Sequence, residues 1–261
     1  MKSSPDHPAT AWEKLARTWE ELGAQDPLWA VVSLPDKRGG RWDLAEFMET
    51  GEEEVACYHA LIARHVPRDN PFSHVLDFGC GVGRLTCAWS KRAREATGVD
   101  ISESMLAFAR KHAAGLGNVN FFLNRHQDLG LFRDAEFDLV FSLICLQHMP
   151  WPFAQGYLRE FGRVCQPGGV VAFQLPSRKL NPNRTAKVRK WIIEHLPFGL
   201  GRHYRRWRHG SAAVFDMYYT PSSTVEAVAR SSGLELVHRE PNDSAGRDTE
   251  GFFYIFKKPG K

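Results

Sequence analysis

Val75-Leu76-Asp77-Phe78-Gly79-Cys80-Gly81-Val82-Gly83-Arg84 begins as an apolar strand and passes through three glycines at alternate positions. It then runs into a helical pattern over Gly83–Ala93. Glycine is needed where the backbone takes a positive φ or where another group lies against it. A glycine-rich turn between a strand and a helix is the setting of a nucleotide-type binding loop. Outward from this loop the pattern repeats. Strands are expected at His74–Phe78, Glu95–Val99, Val119–Leu123, Phe137–Phe141 and Gly169–Leu175, with helices at Ser102–Ala114 and Ala154–Val164 between them. Strands alternating with helices of this length predict βαβ units and a parallel sheet. Pro221–Ser231 reads as a further helix, with proline at its start and Gly233 past its end. Leu234–His238 and Phe252–Phe256 are the last strands, joined by a polar loop that lets them pair as a hairpin.

Two acids separate this loop from a dehydrogenase fingerprint. The pattern is D-x-G-x-G-x-G, with Asp77 just before the first glycine. Beside a diphosphate that acid is unfavourable; beside a sulfonium and an α-amino group it is favourable. Asp100 ends the next strand, where a carboxylate can accept both hydroxyls of a ribose. Ser102 is placed to cap the helix that follows. Ile101 and Met105 offer soft apolar surface to the edges of an adenine ring.

Asp77–Arg84, Asp100–Met105 and Phe137–Ser142, with Leu158–Val164 and the turn Pro167-Gly168-Gly169, resemble the successive motifs of class I S-adenosylmethionine-dependent methyltransferases. The resemblance covers about residues 74–176 and is to the small-molecule branch, in which helices before the core close over the cofactor. It implies an α/β, Rossmann-like, seven-stranded, mostly parallel sheet with the last strand antiparallel. Helices would cover both faces, and a helical cap would precede the sheet. The implied cofactor is S-adenosyl-L-methionine. Asp77, Phe78, Gly79, Cys80, Gly81 and Gly83 would line its methionine and ribose part. Arg84 would meet the methionine carboxylate, Asp100 the ribose, and Ile101 and Met105 the adenine. Ser142 and Leu143 would face the methionine amino end. Many relatives carry an acid shortly after the third strand for the adenine amino group. Here that place holds Arg125, followed by His126, with Asn124, Gln127, Asp128 or a backbone carbonyl as substitutes.

His148, in Leu146-Gln147-His148-Met149-Pro150, follows the fourth strand. In such folds the ends of the first and fourth strands share one crevice. A histidine there is the candidate general base for an attacking hydroxyl; its other reading is a residue that closes the loop by bonding backbone. His203 and His209 are weaker candidates. Cys145 lacks the preceding proline expected of a nucleophile in base methylation. The five cysteines form no C-x-x-C pair, which argues against a disulfide framework or a zinc site. No metal is expected.

Residues 1–70 lack strand alternation and read as a helical cap, with helices at Trp12–Leu22, Asp43–Glu49 and Glu52–His65. Residues 71–261 read as the catalytic domain. It carries a basic, lid-like insertion at 177–220 that holds Trp191, Tyr204 and Trp207. The net charge is +4, yet Arg178–Arg208 has ten Lys/Arg and one acid, Glu194. That segment is either a solvated face or a lid for an acidic small-molecule substrate, since arginine forks suit carboxylates and phosphates. A nucleic acid partner would use the same basic and aromatic residues. The Asn/Asp-Pro-Pro-aromatic motif for exocyclic base amines is absent, which argues against it. No apolar run is long enough to span a membrane, and no signal peptide is visible, so a cytoplasmic location is expected. The aromatic N-terminal helices can pack on a neighbouring subunit as well as on their own core, which leaves a homo-oligomer open. The expected reaction is methyl transfer to a small molecule, foremost to a hydroxyl oxygen; the alternatives are a nucleic-acid methyltransferase that uses the basic 178–208 segment and a non-catalytic S-adenosylmethionine-binding protein.

Overall fold

The computed structural model describes residues 8–180, 216–246 and 248–260. Seven strands form one sheet: β1 (Phe72–Phe78), β2 (Ala93–Asp100), β3 (Val119–Leu123), β4 (Phe137–Ser142), β5 (Cys165–Lys179), β6 (Glu235–Pro241) and β7 (Thr249–Lys257). Their spatial order is β3-β2-β1-β4-β5-β7-β6. The first five are parallel, and β7 is antiparallel to both β5 and β6. This is the expected Rossmann-like sheet, and the last two strands pair as a hairpin.

The helices are α1 (Pro8–Gln25), α2 (Pro27–Val31), α3 (Leu44–His65), α4 (Arg84–Ser90), α5 (Glu103–His112), α6 (Trp151–Val164) and α7 (Ser222–Ser231). Every residue of β4 is buried, as a strand covered by helices on both faces requires. The alternation of β5 sorts the two layers. Val171, Phe173 and Leu175 face a core shared with Phe78, Phe161 and Val225. Val170 and Ala172 face another, shared with Val55, Ile62 and Trp89. Thus α6 and α7 lie on one side and α3 and α4 on the other.

Beyond shifts of a few residues at element ends, three features depart from expectation. The two helices foreseen over Asp43–Glu49 and Glu52–His65 are one helix, α3, running straight through Gly51. A side chain at Gly51 would have its Cβ 2.6 Å from Arg84 Cγ, so the glycine marks a close approach to α4 and not a break. The Asp26-Pro27 cluster, which reads as a breaker, opens the short helix α2 with proline in its first turn. Finally, β5 continues past the expected Leu175 to Lys179, pairing with Thr249–Gly251 of β7. Arg178, at the start of the basic segment, is therefore a strand residue, with Nε 2.6 Å from Glu250. Residues 181–215 of the expected insertion, including Trp191, His203, Tyr204, Trp207 and His209, lie outside the described residues. Within them, no helix is long and apolar enough to cross a membrane.

Candidate active site

The chain reverses its direction of travel across the sheet between β1 and β4, and a crevice opens beyond their carboxyl ends. Here it is a cavity of about 950 Å³, counting the solvent at its mouth. Its floor is Phe78, Gly79, Cys80 and Gly81 after β1, with Asp100 and Ile101 after β2. Leu143, Ile144, Cys145 and His148, after β4, form a wall. The roof comes from the N-terminal helices through Trp12, Leu15, Trp19, Ala30 and Val31.

Asp100 is the acid that lines the cavity. Its Oδ2 accepts from the Gly81 N–H at 2.8 Å and its Oδ1 from the Ser102 N–H at 2.9 Å. Burial raises its pKa, and these backbone donors hold the rise down. Each oxygen keeps lone-pair capacity toward the cavity. Ser102 caps α5 by accepting from the Met105 N–H at 3.2 Å, which seats the buried Met105 beside Asp100.

Arg84 is 3% exposed and lines the cavity. Its guanidinium reaches Glu54 (2.5 Å) and Thr50 (3.1 Å) on α3, which fastens that helix to the glycine loop. Arg84 Nε has no hydrogen-bond partner. A buried, unsatisfied charged donor on a cavity wall suits an incoming carboxylate.

Other expected residues stand off the wall. Asp77 turns away from the cavity and accepts from Thr86 Oγ1 at 2.6 Å, which ties β1 to α4. Gly83 packs under β3: a Cβ there would meet the Phe121 ring at 2.7 Å. Ser142 donates to the Phe78 carbonyl at 2.9 Å, a strap between β4 and β1. Arg125 and His126 are exposed, and their carbonyls are taken by Trp12 Nε1 (2.8 Å) and Tyr157 Oη (2.6 Å). From that loop it is Asn124, buried, that reaches the cavity.

The roof residues were visible in the sequence only as an apolar helical face. What places them is polar: Glu20 of α1 accepts from Ser102 Oγ (2.9 Å) and Ser104 Oγ (2.5 Å) at the start of α5. That latch lays Trp12 against Phe153 and Trp19 edge-on to His148, with ring centroids 5.2 Å apart in both pairs.

His148 is 4% exposed, at the end of the turn Leu146–His148. Its Nδ1 lies 3.0 Å from the Asp216 carbonyl. A carbonyl can only accept, so Nδ1 carries the proton and Nε2 carries the lone pair. Burial lowers its pKa to about 4, against a small rise from the Asp216 carbonyl, so the ring is neutral at pH 7. The backbone just before it is strained, with Ile144 at φ 55. A branched residue in that region costs of order 1–3 kcal/mol and recurs at functional sites. Burial pushes the Cys145 thiol well above its ordinary range, which keeps it protonated at neutral pH.

Two buried groups act on stability with opposite sign. Unfolded His148 takes its proton near its ordinary 6.5 and folded His148 near 4, so it destabilises the fold as pH falls between these values. Asp77, raised from 3.8 to about 6 by burial, takes its proton earlier when folded and opposes that loss. Each is worth roughly 3 kcal/mol, so they nearly cancel. Asp77→Asn removes one side of this balance. Denaturant unfolding should show the variant losing roughly 3 kcal/mol more than wild type between pH 6 and 4. Parallel curves would refute these assignments.

A family model described as a methyltransferase domain matches residues 75–169, the span from the glycine loop to the start of β5. Over that span the chain carries a methyltransferase domain. This methyltransferase is 28% identical over 179 residues to the ubiquinone biosynthesis O-methyltransferase of Azoarcus sp. (strain BH72), covering 63% of this chain and 76% of that one. It is 33% identical over 141 residues to the enzyme of the same name from Idiomarina loihiensis, covering 50% of this chain and 54% of that one. The chain thus spans about half the length of the second relative. Among solved structures, magnesium protoporphyrin IX methyltransferase from Synechocystis PCC 6803 with bound S-adenosylhomocysteine superposes with a TM-score of 0.63. The two are 16% identical, and the match covers 94% of this chain and 99% of that one. At that identity the likeness shows the fold.

The residues present fit S-adenosylmethionine. Asp100 suits a ribose diol, Ile101 and Met105 suit an adenine face, and the orphaned Arg84 Nε suits the methionine carboxylate.

Proposed function

We propose that this methyltransferase methylates a hydroxyl oxygen of a small molecule, with His148 as the base and the floor residues named above as the cofactor site. One observation supports the base: the Asp216 carbonyl commits the proton to Nδ1, so Nε2, which stands 3.2 Å from the Gln147 amide, is the unprotonated nitrogen of a ring that lines the same cavity as Asp100. S-adenosylmethionine, when bound, supplies an electrophilic methyl carbon and retains the electron pair of the broken carbon–sulfur bond. The chain's own work is to align, to dry the site and to take a proton. Asp100 and Arg84 hold the two ends of the cofactor, and the roof formed by Trp12, Leu15 and Trp19 excludes water. Such alignment can contribute on the order of 7–11 kcal/mol. His148 Nε2 accepts the proton of the attacking hydroxyl, a contribution of about 10²–10⁴-fold. The largely apolar wall suits a small aromatic or aliphatic alcohol better than a polymer.

The reading is tested by transfer of radiolabelled methyl to a panel of phenols and alcohols, wild type against His148→Ala. Wild type should label one class of oxygen. The variant should lose about 10²–10⁴-fold in kcat while binding S-adenosylhomocysteine as before. A variant as fast as wild type, or label found on nitrogen or carbon, would overturn it.

A further inference from the structure

A second cleft opens at the amino ends of β1 and β2, and methyl transfer makes no use of it. Its volume is about 720 Å³, counting the solvent at its mouth. His59, Ile62 and Val66, which share one face of α3, form a wall. Arg68, Asp69 and Phe72 line it from the loop that leads into β1, and Arg92 from the residue before β2. The seven residues of β1 put about 20 Å of strand between this cleft and the glycine loop. A ligand seated here is therefore not the methyl acceptor.

The cleft joins unspent cationic donors to an apolar lining. Arg68 gives Nη2 to Asp138 at 2.9 Å. Arg92 gives Nη1 to Glu52 and to the Ala88 carbonyl, both at 3.1 Å. A guanidinium carries five N–H donors. Among the described residues each arginine thus bonds through a single nitrogen and keeps the other two. Both side chains are 25% exposed, so water reaches those donors and a ligand can displace it. Both are also held in place: the Arg68 guanidinium lies over the Phe72 ring, 4.4 Å from its centroid, and Arg92 is fixed by Glu52 and Ala88. Donors fixed beforehand lose less freedom on binding.

His59 meets the Phe72 and Trp89 rings edge-on, with centroids 6.3 and 6.0 Å away. Burial and then the Arg92 charge lower its pKa, so the ring is neutral at pH 7 and can offer an N–H without a charge of its own. Asp69 is the acid among the lining residues, so positive charge outweighs negative in the lining. Arginine forks suit carboxylate and phosphate oxygens, and the side chains of Ile62, Val66 and Phe72 suit a carbon body.

We propose that this cleft is a second ligand site for a small organic oxyanion, its carboxylate or phosphate held by Arg68 and Arg92 and its apolar body turned toward Ile62, Val66 and Phe72.

The test uses the full chain in the presence of S-adenosylhomocysteine. Benzoate, phenyl phosphate and inorganic phosphate are titrated by calorimetry, and ¹⁵N-histidine spectra follow the His59 ring. Benzoate or phenyl phosphate should bind with millimolar or tighter affinity, more tightly than inorganic phosphate, and should move the His59 signals. Arg92→Ala loses only a surface ion pair, so it should stay folded and bind S-adenosylhomocysteine as wild type does. It should weaken the organic anion about 10- to 150-fold, the loss of a hydrogen bond to a charged group. Arg68→Ala should weaken it as well; because that change also strips the buried Asp138 of its cation, Arg92→Ala decides if it fails to fold. No binding of either organic probe below about 10 mM, inorganic phosphate held as tightly as they are, or equal affinity in wild type and Arg92→Ala would overturn the proposal. Neither arginine lines the cofactor cavity, so the outcome is independent of the reading of His148.

Discussion

Replacing Gly79 by alanine is expected to destabilise the protein by about 2–5 kcal/mol and to abolish cofactor binding. Two separate effects add. Gly79 has φ +74, a left-handed conformation in which a side chain costs roughly 1–2 kcal/mol. The added Cβ would also sit 2.1 Å from Cys145 Sγ and 2.5 Å from its Cβ, deep inside van der Waals contact. Relief requires Cys145 to move, and Cys145 is joined to the base: the His148 N–H donates to its carbonyl at 3.0 Å. The damage should therefore reach both the cofactor floor and the acceptor wall. Chemical denaturation and S-adenosylhomocysteine titration would measure it. The double variant Gly79→Ala/Cys145→Gly removes the clash and leaves the backbone strain, so it should recover more than half of the lost stability. A single variant as stable as wild type would show that the two loops are not packed as described.

Asp100→Ala should weaken cofactor binding roughly 10²- to 10⁴-fold while leaving a folded protein. Two hydrogen bonds to a charged acceptor, each about 1.5–3 kcal/mol, correspond to that loss at 1.4 kcal/mol per decade. The carboxylate is not merely a ligand. It also accepts from the Gly81 and Ser102 N–H groups, so its removal leaves two backbone donors facing the cavity. Water can reach them from the open mouth, so the thermal midpoint of the cofactor-free protein should fall only modestly. Asp100→Asn, which keeps one oxygen acceptor, should lie between alanine and wild type. Affinity unchanged in Asp100→Ala would remove the ribose assignment.

Much of this was legible because local chemistry and global position agree. The glycines after β1 and the acid after β2 are demanded by turn geometry and by a diol, and both end on the cavity. Ser102 caps α5 as its type and place suggest. The residues that stand off the cavity wall share a cause: direction. Asp77, Ser142 and Gly83 lie in the right motif, yet in the structure they face the fold's own strands and helices. One residue's rotation along a strand decides between wall and interior, and spacing alone does not reveal it for the final residues of a strand. Arg125 and His126 follow the same rule in reverse, since their neighbour Asn124 takes the inward position. The roof was hidden for a different reason. Trp12, Leu15 and Trp19 carry an ordinary amphipathic signal, and only the tertiary latch from Glu20 to Ser102 and Ser104 brings them over the strand ends. The continuity of α3 through Gly51 likewise depends on Arg84, a residue far away in sequence.

The most direct test of the central claim is calorimetric titration of S-adenosylmethionine and S-adenosylhomocysteine into the wild-type protein. The account predicts one site per chain with micromolar or tighter affinity for both, and a negative heat-capacity change as the apolar roof closes on the ligand. Absence of binding to either compound would contradict it, because Asp100, Arg84 and the roof would then be holding a cavity for something else.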